Sequence, residues 1–304
     1  MSNPCLTILG STGFIGKRLF HLFRNSPSIE ARGFSSEDCN LLDMDSVRDA
    51  LSSLKVEDMV IMTSSITRLK ENSFQSALKN MAMAENLSLL INEKKVSQLV
   101  YLSTVDVYGS VASGTVINER LLPDPQDHYA ISKLTAEFIL KKICRLRDIP
   151  LLILRLSGVY GPGDEGKSTI STMVMSALQE KRLLIYGRGE TIRDFVHVDD
   201  IARIIEKAIE SPSDATVNVA TGTSTSILQI AELLRSHHFP EISIEFRNYE
   251  AGLEKRAAEL SFDISLLKAV FPGFTPLSLV EGIKHYIHYQ NMLSAENSKL
   301  NQGE

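Results

Sequence analysis

The sequence predicts an α/β protein, a doubly wound parallel sheet with a smaller C-terminal lobe. Three observations carry this. Short apolar runs alternate with amphipathic helical stretches through the first half of the chain, the rhythm of βαβ units. The runs are continuously apolar rather than alternating, as suits strands buried on both faces. The first run passes through a glycine-spaced turn, Gly10-Ser11-Thr12-Gly13-Phe14-Ile15-Gly16, directly into a helix.

The elements follow in order. Leu6-Thr7-Ile8-Leu9 is the first strand, and the helix after the turn carries Leu19, Phe20, Leu22 and Phe23 on its apolar side. Residues 29–34 form a second strand and Met59-Val60-Ile61-Met62 a third. A long helix is expected over 76–93, a strand over 99–104, a helix over 129–140 and a strand over 151–156. Beyond residue 157 the rhythm is irregular, with helical patterns at 227–234 and 277–289. This places a sheet domain at 1–157, with 190–222 returning to it, and a lobe at 158–189 and 223–290. The polar tail, 291–304, is expected to fray.

Composition narrows the partners. Of 304 residues, 43% are apolar and 23% charged, which supports a real core and excludes disorder over most of the chain. Lys and Arg total 32 against 37 Asp and Glu, a net charge of -5. That balance gives no electrostatic footprint for nucleic acid or an anionic membrane. No secretory signal and no membrane-length apolar stretch is visible, so a cytoplasmic protein is expected. Cys5, Cys39 and Cys144 are widely separated and read as free thiols. No metal site is expected: His285 and His288 lie three apart but have no third ligand.

In a strand–turn–helix context, Gly10, Gly13 and Gly16 suit a dinucleotide. Tight turning and close approach to a pyrophosphate exclude side chains, and the helix N-terminus offers amides. Ser11, Thr12, Phe14 and Ile15 complete this candidate turn. The second strand ends Gly33-Phe34-Ser35-Ser36-Glu37-Asp38. Serines come before acids, and hydroxyls at Ser35 and Ser36 can accept a 2′-phosphate, so NADP is preferred, with NAD as the alternative. Equally, the two serines can simply start a turn.

Tyr129-Ala130-Ile131-Ser132-Lys133 puts a phenol and an ammonium on one helix face. A cation there would lower the phenol's pKa toward working pH, so that it can exchange a proton with a substrate oxygen. Thr104 ends its strand and can add a hydroxyl to the same oxygen.

With these motifs the chain resembles the extended short-chain dehydrogenase/reductases, the NAD-dependent epimerase/dehydratase superfamily, over about residues 5–289. Gly10 to Gly16 resembles the family's Rossmann turn. Asn40-Leu41-Leu42-Asp43 resembles its adenine-side segment, with Asn40 in place of the common Asp. Asn80 and Asn86 match its central-helix asparagines, and Ser103-Thr104-Val105-Asp106-Val107-Tyr108-Gly109 its Ser/Thr strand. Tyr129 and Lys133 match its Tyr–Lys pair. Gly158-Val159-Tyr160-Gly161-Pro162 and Arg193-Asp194-Phe195-Val196-His197-Val198-Asp199-Asp200 match two later segments.

The resemblance implies roles. Tyr129 would be the acid/base, Lys133 would hold the nicotinamide ribose and tune Tyr129, and Thr104 would bond the reacting oxygen. Asn40, Leu41, Thr63, Ser64, Ser65, Asn80 and Leu156 fall on the cofactor side. Arg193 would clamp a substrate diphosphate; the competing reading is an ion pair with Asp194 or Glu190. Asp106, Gly158 and Lys167 fall on the substrate side.

Departures narrow the reaction. Members that eliminate water carry Thr-Asp-Glu where this chain has Thr104-Val105-Asp106, and Val105 cannot serve as an acid. Members that also epimerise while reducing carry Cys at the place of Asp106. Asp106 either meets the sugar or caps the next turn. Gly158 replaces an Asn, and Thr63-Ser64-Ser65 replaces Leu-Ala-Ala. Gly161-Pro162-Gly163-Asp164-Glu165-Gly166-Lys167-Ser168 also fits a phosphate-binding loop, but Asp164 and Glu165 would repel phosphate.

The expected function is NADPH-dependent reduction of a 4-keto (deoxy)hexose nucleotide. A 4-epimerase with tightly held NAD is the alternative, and a non-catalytic dinucleotide sensor the rival from another class. The expected partners are a nucleotide-diphosphate sugar and a second copy, packed near Asn80 and Tyr129 with Ala82, Ala136 and Leu140.

Overall fold

The computed structural model describes residues 5–248 and 259–302. β1 (Cys5–Leu9) leads through the glycine turn into α1 (Phe14–Phe23) and β2 (Glu30–Phe34). α2 (Met44–Ala50), β3 (Met59–Met62), α3 (Phe74–Glu93) and β4 (Gln98–Thr104) follow. A 3-10 turn (Val105–Tyr108) and β5 (Val116–Ile117) precede α4 (His128–Arg147) and β6 (Leu151–Leu156). Next come β7 (Gly158–Tyr160), α5 (Thr169–Glu180), β8 (Arg182–Tyr186), β9 (Ile192–Arg193) and β10 (Phe195–His197). α6 (Val198–Glu210) and β11 (Ala215–Val219) are followed by β12 (Thr225–Ser226) and α7 (Ile227–His237). β13 (Ser243–Arg247), β14 (Ser261–Phe262), α8 (Ser265–Val270) and α9 (Leu279–Gln302) close the described chain.

Six strands form one parallel sheet in the order β11-β6-β4-β3-β1-β2. The chain leaves β1 for β2 on one side and for β3 on the other, so the crevice between β1 and β3 opens at their carboxyl ends. The continuous apolar runs have a physical reason. Val100, Leu102, Leu152 and Leu154 point into a core shared with α1, α6 and α8. Their neighbours Leu99, Tyr101, Leu151 and Ile153 point to the opposite core, with α2, α3 and α4. Both faces are covered, so the runs are apolar on both sides, apart from buried polar groups such as Ser103 and Arg155. A third core joins α5, β8, α7 and α9 through Ile170, Val174, Ile185, Leu234 and Ile283.

Helix starts are set by capping. Ser73 accepts from the Ser76 amide and the Ser76 side chain returns to Ser73, so α3 begins at Phe74, ahead of the apolar periodicity. Asp127 caps α4 by accepting from the Ala130 amide at 2.7 Å. α4 then runs on to Arg147, where Asp148 turns left-handed at φ 48°. Of the tail expected to fray, 303–304 lie outside the described residues, and 291–302 instead continue α9. That segment has no proline or glycine and includes Ala295, Glu296, Lys299 and Leu300, all good helix formers. Among the described residues no helix is long and apolar enough to cross a membrane, and no group of three metal-ligating side chains is found.

Candidate active site

The glycine turn is as tight as its sequence demands. Gly10 takes φ 92°, and its amide donates to the Phe34 carbonyl at 2.8 Å. A Cβ on Gly16 would lie 2.1 Å from the Gly10 carbonyl oxygen, so only glycine lets α1 approach β1 this closely. At Gly13 the nearest atom to an added Cβ is 3.5 Å away, so the protein itself leaves that position unobstructed. Gly13 is also the N-cap of α1 and brings no side chain to its amides. The first-turn amides of α1, its helix dipole and the bare glycines beside them are a donor set that fits a pyrophosphate.

At the end of β2, Ser35 starts a turn, the alternative weighed for the serines: its hydroxyl accepts from the amides of Glu37 and Asp38 at 3.1 and 3.2 Å. Asp38 folds back and accepts from the Ser35 amide at 2.9 Å and the Ser35 hydroxyl at 2.7 Å. These bonds from Ser35 hold its carboxyl below the usual range. Asp38 is thus held against the carboxyl end of β2, and the Ser35 hydroxyl is engaged by it. Ser36 is exposed beside them.

Asn40 turns inward on its own loop, accepting from the Leu42 amide at 3.1 Å. Leu41 is buried, and its carbonyl accepts from Asn86 at 2.9 Å. Thr63 donates to the carbonyl of Leu9 at 2.8 Å, which locks the end of β3 onto β1, and Ser64 packs against Gly10. Asn80 uses its amide on the Ile66 backbone, at 2.8 and 3.0 Å, and on Ser132 at 3.1 Å. It therefore fixes the loop after β3 against α4.

β4 ends at Thr104, and α4 presents Tyr129 and Lys133 beside it. Thr104 Oγ1 donates to Asp106 Oδ2 at 3.1 Å and accepts from the Asp106 amide at 3.2 Å. The strand stops before Asp106, which rides on the 3-10 turn. Arg68, in the loop after β3, pairs with the same Asp106 oxygen at 3.1 Å and lies 3.7 Å from Asp127. Sequence reasoning missed Arg68: it lies in a loop with no periodicity, and its partner comes from a different βα junction.

The expected depression of the Tyr129 pKa is corrected. Burial, then the charge of Asp106, push it up to about 12, against smaller opposing effects of Ser65 and Arg68. The Ser65 hydroxyl is buried without a hydrogen bond of normal geometry. Lys133 is itself buried, donates to the Leu102 carbonyl and lies 4.2 Å from the centre of the Tyr101 ring. Burial pushes its ammonium down to about 7, against the pull of Glu137. Tyr129 is therefore a neutral phenol with a proton to give at neutral pH.

A cavity of about 380 Å³ joins these groups, lined by Arg68, Thr104, Asp106, Tyr129, Lys167 and Arg193 among others. The ion pair weighed for Arg193 is not formed. Asp194 is taken up by the amides of Thr221, Gly222 and Thr223 at 2.8 to 3.1 Å, and Glu190 lies 3.9 Å from Arg188. Arg193 is attracted by Asp106 and repelled by Arg68. Gly158 and Leu156 line the same cavity. A Cβ on Gly158 would lie 2.8 Å from the Phe195 ring, so that ring fills the space an asparagine would need. Lys167 reaches the rim and pairs with Glu165 at 3.3 Å. The phosphate-loop pattern here is internally used: Asp164 accepts from the amides of Lys167 and Ser168.

The sequence pattern of the NAD dependent epimerase/dehydratase family matches residues 6–220. This chain belongs to the NAD-dependent epimerase/dehydratase family. It is similar to the GDP-6-deoxy-D-talose 4-dehydrogenase of Aggregatibacter actinomycetemcomitans, 31% identical over 237 residues, 75% of this chain and 78% of that protein. Among solved structures, the UDP-glucose 4-epimerase of Thermotoga maritima with UDP-glucose shares the fold at TM-score 0.80. That similarity has 21% identity and covers 95% of this chain and 99% of that one. RMD from Pseudomonas aeruginosa, complexed with NADPH, shares it at TM-score 0.79, with 23% identity and coverage of 94% and 99%. The chain is thus an enzyme of a family that works on nucleotide sugars with NAD-type cofactors.

Lys133 gives a stability test. Its folded value of about 7 lies below the ordinary 10.5. Between those values the unfolded chain holds a proton that the folded chain gives up, so stability from this residue rises with pH across that window. Lys133→Met removes the burial penalty. In urea unfolding it is expected to exceed the wild type by most at pH 6.5, with the margin shrinking toward pH 10. A margin independent of pH would contradict the account.

Proposed function

We propose that this cytoplasmic enzyme reduces the 4-keto group of a nucleotide-linked deoxyhexose. One observation carries the reading. Tyr129, a neutral phenol, shares a cavity with Thr104 and with Arg193, whose guanidinium is in no ion pair among the described residues. The first-named relative, a 4-dehydrogenase of a GDP-deoxyhexose, supports carbon 4 as the reacting position. Val105, where dehydration needs an acid, speaks against loss of water.

The residues divide the work. Arg193 holds the diphosphate, a task suited to a planar fork of donors, with Lys167 at the rim. Gly158 and Asp106 bound the sugar. Tyr129 gives its proton to the carbonyl oxygen. Thr104 has committed its one proton to Asp106, so it serves that oxygen as an acceptor once a hydroxyl has formed. The turn from Gly10 to Gly16 receives the cofactor pyrophosphate, Asn40 and Leu41 flank the adenine side, and Ser64, Ser65 and Leu156 face the crevice. When bound, the nicotinamide supplies the hydride. Lys133 orients its ribose.

Cofactor choice turns on Asp38. Its carboxylate at Ser35 would repel a 2′-phosphate and accept from ribose hydroxyls, so we favour NADH over the NADPH read from the serines. The same observation favours a second reading, a 4-epimerase that retains NAD. Mass spectrometry of nucleotide released on denaturation separates them: stoichiometric NAD supports the epimerase, and an empty site supports the reductase.

A homodimer through α3 and α4 belongs to the same proposal. Phe74, Leu78 and Leu89 on α3 and Ile131, Phe138 and Leu146 on α4 are exposed. Ala136 and Leu140 are fully buried in the protomer's own core and are not available to a partner. Sedimentation is expected to give twice the chain mass, and the chain mass for Phe138→Glu.

With a 4-keto sugar nucleotide, Tyr129→Phe is expected to lower kcat by about a hundred- to ten-thousand-fold. Arg193→Ala is expected to raise KM with a smaller effect on kcat. Full turnover in both variants would contradict the assignment. Asp38→Asn is expected to narrow the preference for NADH over NADPH; an unchanged ratio would contradict the role of Asp38.

A further inference from the structure

Beneath the reacting pair, α4 carries a third polar side chain in the same row. Tyr129, Lys133 and Glu137 follow at four-residue intervals on one helix face. Glu137 is buried, and its Oε1 accepts from Ser103 Oγ at 2.6 Å. Lys133 donates to the carbonyl of Leu102. The two side chains are thus tied to consecutive residues of β4, immediately before Thr104.

Arg155 of β6 braces Glu137 with two bonds, Nε to Oε1 at 3.0 Å and Nη2 to Oε2 at 2.7 Å. Arg155 also donates to Tyr108 at 2.9 Å, and Tyr108 donates to Asn218 of β11 at 2.8 Å. Lys141 approaches the same carboxylate at 3.8 Å from solvent. Ser103, Glu137 and Arg155 do not line the cavity. Apolar residues of equal volume would pack this layer at least as well as a buried ion pair. Its retention one turn from Lys133 calls for another account.

We propose that Glu137 is a positioning residue that acts through Lys133: by fixing α4 on β4 one turn away it sets where Lys133 meets β4, and its charge keeps Lys133 a cation. The inference rests on the reading of Tyr129 and Lys133 as reacting groups. The charge of Glu137 opposes the burial that drives Lys133 toward its neutral form. Among the neighbouring titratable groups, Arg155 and Lys141 are cations, and two others are Tyr129 on α4 and Tyr101 on β4. Burial pushes both upward, so both are uncharged at working pH and cannot replace the carboxylate.

The test uses the full chain labelled with ¹³Cε-lysine, with the Lys133 resonance identified by its loss in Lys133→Met. In Glu137→Gln the Lys133 titration midpoint is expected to fall by about one pH unit or more. The alkaline limb of kcat/KM is expected to move down with it. Arg155→Lys disturbs the same packing but leaves the carboxylate, and is expected to keep both near the wild type. A folded Glu137→Gln protein with an unmoved Lys133 midpoint would overturn the proposal. If Glu137→Gln does not fold, Glu137→Gln/Arg155→Met removes both charges together and is read by the same criterion. A shifted midpoint with an unmoved rate limb would uphold the role of Glu137 and remove Lys133 from the chemistry instead.

Discussion

The site depends on the clamp between α4 and β4. Lys133 and Glu137 are bonded to Leu102 and Ser103, and this fixes Tyr129 beside Thr104 at the carboxyl end of the sheet. Without that registry the phenol and the hydroxyl would be two polar side chains on separate elements. With it they share a cavity with Arg193, which arrives from β9. Burial makes the clamp possible and also sets the chemistry. It keeps Tyr129 protonated and Lys133 near neutrality, so the pair carries a proton available at neutral pH.

The other half of the site depends on a contact without side chains. Gly16 lets α1 meet β1 at a distance that no Cβ would allow, and this delivers the free amides of α1 to the crevice between β1 and β3. Thr63 then locks the end of β3 to the same point. The loop after β3 is held by Asn80 of α3 and carries Arg68, so one loop touches both the nucleotide side and the cavity.

Much of this was legible in the sequence because the signals are local. The runs at 99–104 and 151–156 betray a doubly covered sheet because neighbouring residues such as Leu99 and Val100 face different cores. The turn at Gly10 and the spacing of Tyr129 and Lys133 are short-range patterns with direct physical meaning. Most of the missing parts are those that tertiary contact decides, though Asp38 folds onto Ser35 in a local turn. Arg68 has no pattern until Asp106 meets it. The direction of the Tyr129 shift follows from burial and from Asp106, neither of which the spacing to Lys133 reveals. Asn80 looks like a ligand contact, yet its amide is used on Ile66 and Ser132. The tail beyond residue 290 is polar, which suggested fraying, but its residues favour helix and α9 simply continues.

The roles proposed for Tyr129, Thr104 and Arg193 all rest on redox chemistry at carbon 4 of the sugar. The most direct measurement supplies a 4-keto nucleotide sugar and a reduced nicotinamide cofactor deuterated at its transferable position, then locates the label by NMR. The account predicts deuterium on carbon 4 of the product, with one cofactor oxidised for each sugar reduced. A product formed without label at carbon 4, or with no cofactor consumed, would contradict it.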